Sequence, residues 1–599
     1  MRLDLPCLAL LISTASSPVI AQEAADAVAP EGASSGQVAA LSEAVAAALA
    51  AKEAGTPVEA ENWMVAAANP IAVEAGAEVL REGGTAADAM VAVQTVLGLV
   101  EPQSSGLGGG AFLVWYDAKS GEITTLDARE TAPLAATPRL FQDEAGEPLK
   151  FFDAVVGGRS VGTPGTPALL EAAHRKWGRA NWGSLFDAGI SLAEEGFAVS
   201  PRMAGSIASD AERLGRFAAT AEYFLPGGVP LEAGSILTNS AYADVLRTLA
   251  AEGAEGFYTG PIAADIVRVV TGAEGNPGVL SEFDLALYQV KERPASCASY
   301  RAFEVCGMGP PSSGALTVGQ ILGMLGGYDL AALGAENPEA WRLIGDASRL
   351  AFADRSRYMA DSDFVPVPAK GLVDADYLAA RAELLGGETA LAEVAPGKPE
   401  FDHAGLPPRW ADDASIEFPS TSHLSIVDQY GNVLSMTTTI ENGFGSRLMS
   451  NGFLLNNELT DFSFRSHRDG VPIANRLEPG KRPRSSMAPS IVLKDGAPVL
   501  AIGSPGGSRI IGYVASAIVA WADWGMDVQQ ALDLPHAVNR FGTYDLEAET
   551  AATGMEATLT EMGYKVNIRD LNSGLHAIEI GETLKGGADP RREGIALGE

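Results

Sequence analysis

Residues 86–100, AADAMVAVQTVLGLV, put apolar side chains on nearly every face of the helix they predict. A helix with no face to give to water sits inside a layered protein. At fifteen residues it is short of the roughly 20 that a bilayer crossing needs, and no other uninterrupted apolar stretch in the mature chain reaches that length, so no transmembrane anchor is expected. Thr85 with Asp88 forms a capping pair at its start, and Pro102 follows its end. Just upstream, Asn69-Pro70 reads as an N-cap and first helical position, with Val73, Ala77 and Leu80 on one face and Gly83-Gly84 closing the segment. After the glycine cluster 106–110, which lacks the lysine and hydroxyl of a phosphate loop and reads as close backbone packing, strands are expected over 111–116 and 122–126. On these residues alone the chain is α/β.

A second stretch concerns chemistry. Thr421-Ser422-His423-Leu424-Ser425-Ile426-Val427-Asp428 is strand-like, Gln429-Tyr430-Gly431-Asn432 is a turn, and Val433 to Thr439 is a second β run. With Asp428 opposite Val433, paired numbers sum to 861, which puts Thr421 opposite Ile440 with Thr439 one residue away. Two hydroxyls would meet at the strand end. A threonine hydroxyl is a weak nucleophile until a base takes its proton, and cutting before Thr421 would supply its own α-amine as that base. The amine's ordinary pKa of about 7.7 to 8.0 leaves it substantially neutral near neutral pH. Residues 395–420, rich in proline, glycine and acids, read as an exposed, adaptable loop before the scissile bond. Taken without context, the same residues describe a threonine-rich edge hairpin, since strands favour threonine anyway.

The context lies downstream: Leu455-Asn456-Asn457-Glu458-Leu459-Thr460-Asp461-Phe462, then Lys481-Arg482-Pro483-Arg484-Ser485-Ser486-Met487-Ala488-Pro489, then Gly503-Ser504-Pro505-Gly506-Gly507-Ser508-Arg509. With Thr421-Ser422-His423, in this order and spacing, they closely resemble the gamma-glutamyltransferase family of N-terminal nucleophile hydrolases, from about Trp63 to Arg591. The resemblance implies a four-layer αββα sandwich and a precursor that cuts itself between Ser420 and Thr421. It implies residues 62–420 as a large subunit and 421–599 as a small one, joined as a heterodimer in one continuous fold. Thr421 would be the nucleophile, Thr439 its support, and Gly506 and Gly507 the oxyanion donors. Arg129, in Asp127-Ala128-Arg129-Glu130-Thr131-Ala132-Pro133, with Ser485 and Ser486 would hold a substrate α-carboxylate, while Glu441, Glu458 and Asp461 would hold its α-ammonium. Guanidinium suits the first task because it binds carboxylate through paired charge-assisted hydrogen bonds. Met alone, Arg129 reads as a surface ion pair.

Several positions depart from common members of the family. Glu441 stands where many have asparagine, Glu458 where many have glutamine, and Arg484 where leucine usually precedes the two serines. The segment from Phe462 to Gly480, which can form a lid in the family, is short here and has no tyrosine. The activity implied is cleavage of γ-glutamyl amides such as glutathione, with transfer to water or an amine and with neither cofactor nor metal. A glutaryl or cephalosporin-type acylase is the alternative within the class, and a non-catalytic secreted binding relative the alternative outside it.

Charge narrows the partners further. With 42 basic and 76 acidic residues the net charge is -34, which repels a phosphate backbone and argues against nucleic acid. Residues 1–21 have the layout of a secretory signal, with Arg2, an apolar run through Leu8 to Ile12, and Val19-Ile20-Ala21 before Gln22. Export to a periplasm or the medium is the expectation. Residues 22–61 are alanine-rich and read as a linker, with a short isolated helix around 38–51. Cys297 and Cys306 flank a hairpin in which paired numbers sum to 603, so they face each other, as a disulfide or as two buried thiols.

Overall fold

The computed structural model describes residues 42–402, 408–415 and 417–599. Two seven-stranded sheets form its centre. One runs Ile595–Gly598, Met64–Ala67, Ser422–Val427, Val433–Thr439, Gly110–Asp117, Glu122–Ala128, Lys291–Arg293, and every neighbouring pair in it is antiparallel. The other runs Val58–Ala60, Leu584–Ala588, His576–Ile580, Ala497–Gly503, Ser490–Lys494, Phe303–Gly307, Ser296–Tyr300, also antiparallel throughout. Met64, Ala66, Val114, Val427, Val433, Ile491, Ala501 and Ile578 fill the space between them. Alternation along the strands gives each sheet a second apolar face, and helices cover both: Pro70–Arg81 and Ala86–Val100 on one side, Gly314–Leu325, Pro338–Tyr358 and Ile510–Ala522 on the other. The result is the expected αββα sandwich.

The polar residues of the central strands join the two sheets. Ser435 Oγ donates to the Ile502 carbonyl (3.1 Å) and accepts from the Ser490 amide (3.1 Å), and Ser425 Oγ donates to the His576 carbonyl (3.3 Å). These hydroxyls are buried and hydrogen-bonded, which removes the cost of burying them. Helix Ala86–Val100 is buried at every position and opens on the Thr85/Asp88 capping box. The glycine cluster does pack closely: a Cβ on Gly108 would lie 2.1 Å from the Leu454 carbonyl oxygen, and one on Gly109 1.9 Å from that of Thr439. Cys297 and Cys306 are opposite each other in their hairpin and joined by a disulfide.

Three expectations need correction. The first is the register of the Thr421 hairpin: Val427, not Asp428, lies opposite Val433, and Ser422 lies opposite Thr438, so paired numbers sum to 860. Asp428 belongs to the turn, where its carboxylate accepts from the amides of Tyr430 and Asn432 (3.0 Å each) and from Ala86 N (2.9 Å) at the start of the buried helix. Thr421 therefore faces Thr439 directly. The second concerns residues 22–61, which are not a linker throughout. Glu43–Glu53 is a helix capped by Ser42, with Val45 and Ala48 in the core. Its Lys52 ammonium donates to the carbonyls of Arg592 (2.6 Å) and Gly594 (2.7 Å), and Val58–Ala60 is an edge strand. Third, the segment before Thr421 is not exposed where it nears the cut, since Glu417, Phe418 and Ser420 are buried, with Phe418 against Phe151 at 4.1 Å between ring centroids. The expected signal, residues 1–21, lies outside the described residues.

Candidate active site

Thr421 heads the central hairpin, with Ser420 just before it, and both are buried. Thr421 Oγ1 is 3.0 Å from Thr439 Oγ1, which also accepts from the Glu441 amide at 2.8 Å. The Ser420 carbonyl oxygen faces the Gly506 amide at 3.4 Å, at the turn Gly503–Arg509 that leads into helix Ile510–Ala522. The Thr421 carbonyl accepts from Arg592 Nη1 at 2.9 Å. Thr421 itself has φ 109°, a region that a β-branched residue enters only under strain. Such strain persists only where the surroundings over-determine it. Here they do, through a carbonyl clamped on each side of the residue and a hydroxyl held at 3.0 Å. Gly507 has φ +57°, and a Cβ there would come within 2.5 Å of the Phe418 carbonyl oxygen.

Beside Thr421 and Thr439, a small cavity is lined by Arg129, Glu417, Phe418, Glu441, Glu458, Asp461, Ser485, Ser486 and Gly507. All the residues singled out from the sequence for a zwitterion are thus together. Their pairing is internal: the buried Arg129 guanidinium holds both Glu458 and Asp461, and it is fixed further by donating to the carbonyls of Pro483 (3.2 Å) and Arg484 (2.8 Å). Asp461 Oδ1 is buried without a donor among the described residues. Glu441, at φ 76°, accepts from the Asn457 side-chain amide. Of the two serines, Ser486 donates to Glu417 and accepts from Arg355 Nη2 (2.7 Å), while Ser485 Oγ accepts from the Met487 amide (3.1 Å).

Acids outnumber bases around this cavity, and burial raises their pKa values. The Glu441 carboxyl is pushed up to about 8, by desolvation first and by Glu458 next. Glu130, Glu458 and Asp461 are also shifted upward by burial, with Arg129 opposing the shift in each. Glu417 goes the other way: burial opposes its ionisation, but Arg355, Arg484 and Ser486 outweigh burial and bring it down to about 2. The sequence reading assigned no role to Glu130, Arg355, Glu417 or Arg592. Glu130 stands in the quoted segment Asp127–Pro133, which was an available signal, whereas Glu417 sits in what reads as a loop.

The sandwich and an internal threonine at the head of a central strand define an N-terminal nucleophile hydrolase. The chain belongs to the gamma-glutamyltranspeptidase family, whose profile matches residues 72–599. It is 37% identical over 552 residues to a glutathione hydrolase proenzyme of Bacillus subtilis, covering 90% of this chain and 92% of that one. It is 34% identical to the glutathione hydrolase proenzyme of Escherichia coli (89% and 91% covered) and 33% identical to the acylase ACY 1 proenzyme of a Pseudomonas species (90% and 94%). Among solved structures, cephalosporin acylase from Bacillus halodurans shares the fold with a TM-score of 0.80 at 24% identity, over 91% of this chain and 97% of that one. Helicobacter pylori gamma-glutamyltranspeptidase matches at 35% identity and TM-score 0.54, over 57% of this chain and 96% of that one.

Proposed function

We propose that this chain is a self-cleaving gamma-glutamyltransferase and glutathione hydrolase whose nucleophile is Thr421. In maturation the Thr421 hydroxyl adds to the Ser420 carbonyl carbon while the Gly506 amide, with Gly507 beside it, faces the oxygen where negative charge develops. The Ser420–Thr421 C–N bond breaks, the nitrogen takes the proton and becomes the α-amine, and water hydrolyses the ester left on Oγ. The products are a large subunit ending at Ser420 and a small one, 421–599, held in one sandwich. The freed amine then serves as base when the same hydroxyl attacks a γ-glutamyl amide, and the acyl group passes to water or to an amine. The relatives named as proenzymes support this sequence of steps.

The observation that carries the choice of substrate is the set of acids around Arg129. Glu441, Glu458 and Asp461 converge with Arg129, Ser485 and Ser486 on one cavity, and Asp461 keeps one buried oxygen without a donor among the described residues. An entering zwitterion would divide this internal pairing, its carboxylate taken by Arg129 and the serines and its ammonium by the acids. A glutaryl group has no ammonium to offer. The likeness to acylases in sequence and fold makes glutaryl amides the second reading, so the test compares γ-glutamyl-p-nitroanilide with glutaryl-p-nitroanilide. The account expects a strong preference for the first that Asp461→Ala erodes; equal use of the two would transfer the chain to the acylases. The Cys297–Cys306 disulfide fits an exported protein, with residues 1–21 removed on the way. Among the described residues no helix is long and apolar enough to cross a membrane.

A further inference from the structure

Next to the cavity at Thr421 lies a larger one of about 180 Å³, lined by Arg355 and Arg484, by Phe352 and Phe541, and by Asp413 and Ser415. The strap of residues just before the scissile bond forms its border with the cavity at Thr421. Arg484 is 1% exposed. Its Nη2 reaches Ser415 Oγ at 2.8 Å, Asp413 at 3.1 Å and Glu417 at 3.5 Å, while its Nε and Nη1 have no acceptor among the described residues. Arg355, also buried, holds Glu417 and Ser486. Among the described residues the carboxylates that neutralise Arg484 are therefore Asp413 and Glu417, and Glu417 is also the one paired with Arg355. Desolvation first and Arg484 next bring the Arg355 guanidinium down to about 10, with Glu417 and Asp413 opposing the shift.

We propose that Arg484 and Arg355 form a second carboxylate-binding site, vacated when Glu417 withdraws after cleavage, which selects donors whose leaving group carries a carboxylate of its own. This rests on the γ-glutamyl reading above. Phe418 and Glu417 line the cavity at Thr421, so an outside substrate needs them displaced; Arg355 then loses its carboxylate while Arg484 keeps Asp413, which leaves one carboxylate for two buried guanidiniums. A buried charge without a counterion is costly; a carboxylate beyond the scissile amide restores it, taking the Arg355 Nη2 that Glu417 leaves and the Nη1 of Arg484, which has no acceptor among the described residues. The flanking Phe352 and Phe541 suit the apolar body of such a group.

The test uses mature enzyme and two donors that differ by one carboxylate on the leaving group, γ-glutamyl-3-carboxy-4-nitroanilide and γ-glutamyl-4-nitroanilide. Wild type should favour the carboxylated donor in kcat/KM by about tenfold or more, the scale of one charge-assisted hydrogen bond, and this ratio should shrink as salt is raised. Arg484→Leu should reduce the ratio by a similar factor, and Arg484→Lys should restore part of it. A wild-type ratio near or below one overturns the proposal whether or not the variants mature, as does a ratio that Arg484→Leu leaves in place. If neither donor is turned over, the γ-glutamyl reading is what fails, and this site fails with it.

Discussion

In its proposed ammonium-binding role, Glu441 would link burial to substrate affinity. Its carboxyl, pushed up to about 8 in the empty site, is mostly protonated at neutral pH. A substrate ammonium favours the ionised form, so binding must release that proton below pH 8. Affinity for a γ-glutamyl donor should therefore rise as pH increases from 6 towards 8, read as a falling KM, and Glu441→Gln should flatten the rise. A KM independent of pH over that range would remove Glu441 from ammonium binding. Arg129 is the opposite case, a cation already held by Glu458 and Asp461. Arg129→Ala leaves those two acids buried without their cation, and losing one partner of a desolvated charge pair costs about 2 to 5 kcal/mol. We expect kcat/KM on γ-glutamyl-p-nitroanilide to fall by roughly 30-fold or more while the chain still cleaves itself. Activity within a few-fold of wild type would contradict the assignment. The residues of this cavity come from positions as distant as 129, 417, 441, 461 and 486, and neither periodicity nor spacing brings such positions together. Only the family resemblance collected most of them, and it passed over Glu417 and Arg355, whose partners become visible only when the strap lies in place.

At the scale of elements, the hairpin Ser422–Val427/Val433–Thr439 was readable from alternation and a turn signal, yet its register was off by one. The reason is the Asp428 side chain, which closes the turn by accepting main-chain amides and so takes Asp428 out of the ladder; spacing alone does not reveal such a bond. The shift matters, because it is what sets Thr421 opposite Thr439. Asp428→Ala would strand amides at the turn and at Ala86 that are now satisfied. Loss of a buried acceptor costs about 1 to 3 kcal/mol, so the urea midpoint should fall accordingly, with self-cleavage retained. An unchanged midpoint would mean that strand pairing alone sets the register. The helix Glu43–Glu53 overlaps the short helix expected around 38–51, but that it docks on the sandwich instead of standing isolated was not readable. It buries only Val45 and Ala48 fully and is tied down through Lys52, a contact that composition cannot express.

Over the whole molecule, the Ser420–Thr421 bond lies between elements of both sheets. Thr421 heads a strand of one sheet, and Gly506 sits at the turn between a strand of the other sheet and a helix covering it. Cleavage there cuts the chain without cutting the core, because strands on both sides of residue 420 pair within both sheets. The two pieces should therefore stay together through purification and part only under denaturing conditions. The measurement that tests the account most directly is the denaturing intact mass of purified wild-type and Thr421→Ala protein, with amino-terminal sequencing of the smaller piece. Wild type should give two chains, the smaller beginning Thr-Ser-His-Leu, and Thr421→Ala should give one. A wild-type chain that stays whole yet hydrolyses γ-glutamyl amides, or a smaller piece that begins anywhere other than Thr421, would contradict it.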